Sequence, residues 1–156
     1  MTQLAHQSTP AGKEVESMGK VVVEIELISV EDEFLSRQNL LPSGKIRREK
    51  LNALVDTGAT LLVIPEDVIE RLGLRIIREI PTNYANGHVE VRKIHGPLTL
   101  SVMGRTTTFD ALAGHKGQPA LLGQVPLEAL DFCVDPKNQR LIPGHPESPD
   151  VQMVDV

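Results

Sequence analysis

The stretch with the clearest chemical potential is Asp56-Thr57-Gly58-Ala59-Thr60. It lies between two apolar runs, Ala53-Leu54-Val55 and Leu61-Leu62-Val63-Ile64. Apolar runs broken by a turn signal read as buried strands. A carboxylate at their junction must find a partner or open into a cleft, because burial disfavours its charged form. Gly58 permits a close approach of backbone or ligand, and Thr57 can hydrogen-bond locally. Taken alone, the same residues also fit an Asx-type turn in a β-protein. Other reactive side chains form no pattern. His6, His88, His95, His115 and His145 show no metal-ligand spacing, so no metal ion is expected. Cys133 sits in an apolar stretch and reads as a small buried hydrophobe rather than a nucleophile. Gly114 and Gly117 with Lys116 make no phosphate loop.

The surrounding chain must position that carboxylate, and its patterning is mostly β. Val23, Ile25 and Leu27 alternate with Glu24 and Glu26, the mark of a half-buried strand. The charged stretch from Glu31 to Arg48 reads as a long hairpin connection with a turn at Pro42-Ser43-Gly44, followed by a strand into Val55. Pro65, then Glu66 and Asp67, then Gly73 give start and stop signals for a two-turn helix with Val68, Ile69 and Leu72 inward. Asn86-Gly87 predicts a type I′ hairpin turn. Leu98, Leu100 and Val102 alternate up to a turn at Met103-Gly104, and Thr106 to Leu112 forms the next strand. Leu121-Leu122-Gly123 is an apolar run stopped by glycine, with a brief helix expected from Val125 to Leu130. A last hairpin turns at Asp135 to Gln139. The fold class expected is all-β, a small closed barrel with one or two short helices.

Composition narrows the function. The 156 residues suit one domain, with residues 19–143 as its extent, 1–18 as a disordered leader and 144–156 as a flexible tail; Met18 is a possible alternative start. Aromatic residues are only 3%, with no Trp, so base-stacking platforms are not expected, and a net charge of −5 argues against nucleic acid or an anionic membrane as partner. A single cysteine rules out an internal disulfide. No apolar stretch approaches the roughly 18 residues of a membrane span, and the first residues lack a secretory h-region. A cytoplasmic location is the expectation.

Order and distance then join the pieces. Asp56-Thr57-Gly58 follows an apolar strand, the Asn86-Gly87 hairpin comes 30 positions later, and Leu121-Leu122-Gly123 ends 36 positions after Gly87, with a helix directly behind. This arrangement resembles the retropepsin-like (clan AA) aspartic proteases of the single-domain bacterial and archaeal type, over about Val21 to Pro143. The resemblance implies an endopeptidase without a cofactor, assembled as a homodimer and acting on an extended peptide or protein. Asp56 would be catalytic, one copy from each chain. Thr57, Gly58 and Ala59 would form the active-site loop and support the dimer. Ala85, Asn86, Gly87, His88 and Val89 would form a flap over the substrate. Leu121, Leu122 and Gly123 would pack behind the loop. Retroviral members carry an acid where this chain has Thr60 and an arginine where it has Gln124. Here the two neutral side chains share at most a hydrogen bond, and other contacts, such as the Cys133 to Ile142 hairpin, would have to brace the dimer. The alternative is a catalytically silent module of the same fold that dimerises or binds peptides.

Overall fold

A computed structural model describes residues 20–145. The expected leader, 1–18, lies outside the described residues, as does the expected tail beyond His145. Among the described residues are nine strands and three short α-helices: β1 (Val21–Ser29), α1 (Val30–Arg37), β2 (Arg48–Val55), β3 (Leu62–Pro65), α2 (Glu66–Leu72), β4 (Arg75–Asn83), β5 (Val89–Val102), β6 (Arg105–Gly114), β7 (Ala120–Leu122), α3 (Gln124–Ala129), β8 (Phe132–Asp135) and β9 (Arg140–Pro143).

Six strands close into a barrel in the order β1-β2-β7-β3-β6-β5, with β5 returning to β1 through Ile25↔Val102 to Ser29↔Leu98. The expected all-β barrel is present. Closure removes the unpaired sheet edges that an open sheet of this size would expose. The 14-residue β5 serves twice: its second half closes the barrel, and its first half pairs with β4 to make a protruding hairpin. The changeover is at Gly96-Pro97, where the β5–β6 register also shifts. The interior is aliphatic, as the scarcity of aromatics requires. Ile25, Leu27, Leu62, Ile64, Leu98, Leu100 and Leu122 are buried together.

The stretch after β1 departs from the sequence reading. Instead of an extended connection, Val30–Arg37 is helical, a third helix beside the two expected. Ser29 caps it, its hydroxyl accepting from the Asp32 backbone N–H at 3.1 Å, and Glu31, Asp32 and Glu33 fill the positive first turn. Asp32 is 3% exposed. Its carboxylate receives Arg47 Nε at 2.8 Å, Arg47 Nη2 at 2.9 Å and the Arg47 backbone N–H at 2.9 Å. That bidentate pair fixes the chain just before β2, the strand that leads to Asp56, and its hydrogen bonds hold the Asp32 carboxyl below the ordinary carboxylate range. Gly73 ends α2 with φ of 66°, and the Arg47 guanidinium fills the space a side chain there would need.

Two turns also differ from expectation. The type I′ signature falls on Met103-Gly104, where φ is 50° and 85°, between Val102 and Arg105. At Asn86-Gly87 only Gly87 has positive φ, 83°. Cys133 is exposed, not buried. Along β8 the buried positions are Phe132 and, across the ladder from Val134, Leu141, so alternation turns Cys133 outward beside Ile142. No helix among the described residues is long and apolar enough to cross a membrane.

Candidate active site

Strand β7 is inserted between the two legs of the Asp56 loop. On one side it runs parallel to β2, with Ala53↔Ala120 and Val55↔Leu122; on the other it runs antiparallel to β3, with Leu62↔Leu122. The backbone of Leu122 to Val125 then stitches the loop shut. Asp56 N–H donates to Leu122 O at 3.0 Å, Gly123 N–H to Leu61 O at 3.1 Å, Gln124 N–H to Ala59 O at 2.8 Å and Val125 N–H to Thr60 O at 3.0 Å. Within the loop, Ala59 N–H donates to Asp56 O at 3.0 Å. These bonds satisfy a turn that would otherwise bury unpaired polar groups. A Cβ on Gly123 would collide with Leu61 O and lie 2.8 Å from Ala59 O, so only glycine permits the approach. Leu122 is completely buried beneath the loop, whereas Leu121 is half-buried.

Asp56 itself is half-buried at the end of β2, and Thr57 and Gly58 beside it are exposed. Gly58 N–H donates to Asp56 Oδ1 at 2.9 Å, while Oδ2 has no partner among the described residues. The carboxylate is thus aimed by one backbone bond and keeps one oxygen available. Gln124 does not bond to Thr60 through its side chain. Its amide donates to Glu128 Oε2 at 3.0 Å, one turn along α3, and the link to Thr60 is the Val125 backbone bond.

The β4–β5 hairpin is held differently. Ala85, Asn86, Gly87, His88 and Val89 are all exposed, and their bonds are among themselves or to adjacent residues. Tyr84 N–H donates to His88 O at 2.8 Å, Gly87 N–H to Tyr84 O at 2.9 Å, and His88 N–H to Asn86 Oδ1 at 2.9 Å. The Tyr84 and His88 rings stack with centroids 5.9 Å apart. Tyr84 hydroxyl donates to Glu90 Oε1 at 2.7 Å, which holds the Glu90 carboxyl below its ordinary range and raises the Tyr84 phenol above its own. The hairpin touches the barrel shoulder through Arg92 Nη2, which donates to Ala113 O at 2.9 Å, and through Glu90, 3.9 Å from His115. No hydrogen bond, ion pair or ring contact joins its tip to the Asp56 loop among the described residues. Tyr84, Glu90, Arg92 and His115 carry no site role in the sequence reading, which places Glu90 and Arg92 with His88 on one face of the hairpin. The alternation of Glu90 and Arg92 with Val89 and Val91 was the available signal.

Between the hairpin root, β6 and the outgoing leg of the Asp56 loop lies a cavity of about 420 Å³, bounded by Leu61, Arg78, Ile94, Thr108, Phe109, Asp110 and Leu112. Leu61 belongs both to this cavity and to the loop bonded by Gly123. A carboxylate at the tip of a braced loop, beside a recess lined by both apolar and charged residues, suits general acid–base chemistry.

No curated protein matches the chain. The family model described as "gag-polyprotein putative aspartyl protease" matches residues 43–129, from the turn before β2 to the end of α3. The matched segment is more than half of the chain and contains Asp56-Thr57-Gly58, the hairpin and Leu121-Leu122-Gly123. The closed barrel, the glycine-locked aspartate loop and this match together make the chain a member of the gag-polyprotein aspartyl protease family, of the retropepsin-like kind.

Proposed function

We propose that the chain is an aspartic endopeptidase whose site is completed by a second copy of itself. The observation that carries this is the state of Asp56: a half-buried carboxylate with one oxygen unpartnered among the described residues, on a loop fixed by backbone bonds from Leu122 to Val125. One chain offers one such aspartate, and a pair is needed. Two carboxylates a few Å apart cannot both ionise, so the dyad shares a proton. The ionised Asp56 takes a proton from water as it attacks the scissile carbonyl. The protonated Asp56 donates to the carbonyl oxygen and steadies the charge that develops there. Thr57 and Ala59 support the meeting of the two loops, Gly58 leaves room for substrate backbone, and Ala85 to Val89 cover the peptide. The peptide binds extended, by main-chain pairing, with side chains entering recesses such as the one at Leu61.

Digestion of a peptide library at about pH 4 to 7 by the wild type and by Asp56→Asn tests this reading. Cleavage that disappears in the variant supports it; identical background from both sinks it. The shared proton also sets the pH profile, with an acidic to near-neutral optimum and a fall once both carboxylates ionise. A rate still climbing at about pH 9 contradicts a dyad. One observation favours the second reading, a silent module that dimerises or binds peptides. Gln124 spends its amide on Glu128, so no charged brace runs from this position to the loop.

A further inference from the structure

The cavity beside the Asp56 loop is bordered by two charges left without a side-chain partner among the described residues. Arg78, from β4, and Asp110, from β6, both border it, and neither has a hydrogen-bond or ion-pair partner among the described residues. The other arginines of β4 and β5 are partnered. Arg75, on the same strand as Arg78, is held by Glu31 at 2.9 Å, and Arg92, on the neighbouring strand, donates to Ala113 O. The fold makes room for Asp110: its Oδ1 would lie 2.5 Å from a Cβ at Gly96, so a larger residue there would displace it. The remaining wall is Leu61, Ile94, Phe109 and Leu112, with Thr108 the one further polar residue.

Arg78 can only donate hydrogen bonds, and ionised Asp110 can only accept them. A side chain that satisfies both needs an acceptor and a donor at one end, an apolar stem, and no net charge. Glutamate would meet Arg78 but face Asp110; lysine would meet Asp110 but face Arg78. A primary carboxamide meets both, and the two methylenes of glutamine cover the apolar wall where asparagine has one. We infer that this recess takes a glutamine side chain of the bound peptide, its carbonyl oxygen on Arg78 and its amide nitrogen on Asp110. The assignment rests on the reading of the chain as a protein that binds and cuts extended peptides.

The two charges also predict a reciprocal switch. Asp110→Asn leaves Arg78 as the only charge and turns the preference to glutamate. Arg78→Gln leaves Asp110 and turns it to lysine. Both groups sit at a solvent-exposed rim, so each preference is about tenfold rather than thousands. The test uses the full chain and a positional peptide library with Gln, Glu, Lys or Leu at each site in turn. It is read in two ways: cleavage by the wild type, and binding to the Asp56→Asn chain, in which cutting is blocked. Glutamine selectivity at one position, reversed oppositely by the two variants, supports the assignment. Equal handling of all four residues, a leucine preference, or an unchanged profile in both variants overturns it. Glutamine-selective binding without wild-type cleavage overturns the peptidase reading and keeps the recess. Cleavage without selectivity does the reverse, and neither binding nor cleavage overturns both.

Discussion

The Asp56 loop and the tip of the β4–β5 hairpin are the two halves of the candidate site, and they are built by opposite means. The loop is bonded through backbone to a strand inserted between its own legs, over fully buried Leu122 and against Gly123, where a side chain does not fit. The hairpin tip bonds almost wholly to itself and carries Val89 and Val91 at 58% and 52% exposure. Backbone bonds backed by buried apolar contacts open only with much of the fold, whereas exposed self-contained turns open locally at little cost. The difference leaves a fixed loop and a hairpin tip that opens at little cost; in the proposed peptidase the first would be the floor for chemistry and the second the cover over a substrate.

Substitutions in the floor sharpen this contrast most. Gly123→Ala forces a methyl group against Leu61 O and Ala59 O, and is expected to cost about 3 kcal/mol or more. Leu122→Ala is expected to cost roughly 2–5 kcal/mol in urea unfolding, against roughly 0.5 kcal/mol or less for Val89→Ala or Val91→Ala. Equal losses at floor and hairpin would erase the distinction.

Acid provides a second, smaller contrast, because the floor's foundation is ionic. The pKa of Asp32 is lowered, chiefly by the Arg47 hydrogen bonds, from an ordinary 3.8. Its stabilising contribution is complete above that value and disappears as pH falls through the lower folded-state value. His95, whose buried Nδ1 has no hydrogen-bond partner among the described residues, is lowered from 6.5 by burial, so the fold favours its neutral form and loses stability as pH falls below 6.5. The melting temperature is therefore expected to decline gently below about pH 6.5 and more steeply below about pH 4, the second step shrinking in Asp32→Asn. A flat profile would remove Asp32 as the anchor of β2.

The smallest effect belongs to the hairpin. Tyr84 is the only tyrosine, and there is no Trp, so phenolate absorbance reports on the tip alone. Its titration midpoint is expected above 10.0 and nearer to 10.0 in Glu90→Gln, with stability almost unchanged. A midpoint that ignores Glu90 would mean the tip is held otherwise.

Much of this was legible in sequence, for definite reasons. The strands around Asp56, the run Leu121-Leu122-Gly123 and helices α2 and α3 announce themselves by apolar runs, a proline, first-turn acids and glycine stops. Helix α1 was missed because the charges of Glu31 to Arg37 resemble a loop. The informative signal was Ser29 followed three residues later by Asp32, a helix cap whose acid also awaits Arg47. The turn type was placed on Asn86-Gly87 from local preference. The barrel twist instead imposes it on Met103, a residue that seldom takes positive φ. Cys133 was read from its apolar neighbours, but strand alternation decides which of them face inward. The recess with Arg78 and Asp110 had no sequence signal, since strands far apart in the chain bring its walls together.

The central claim, that catalysis needs Asp56 from two chains, is tested most directly by mixing. Asp56→Asn chain is added in increasing excess to a fixed amount of wild type, and peptide cleavage is followed. A shared dyad predicts that cleavage falls steadily as wild-type chains are drawn into mixed pairs with one functional aspartate. A rate unchanged at large excess of the variant, from wild type that is itself active, would show that a single chain suffices and would contradict the account.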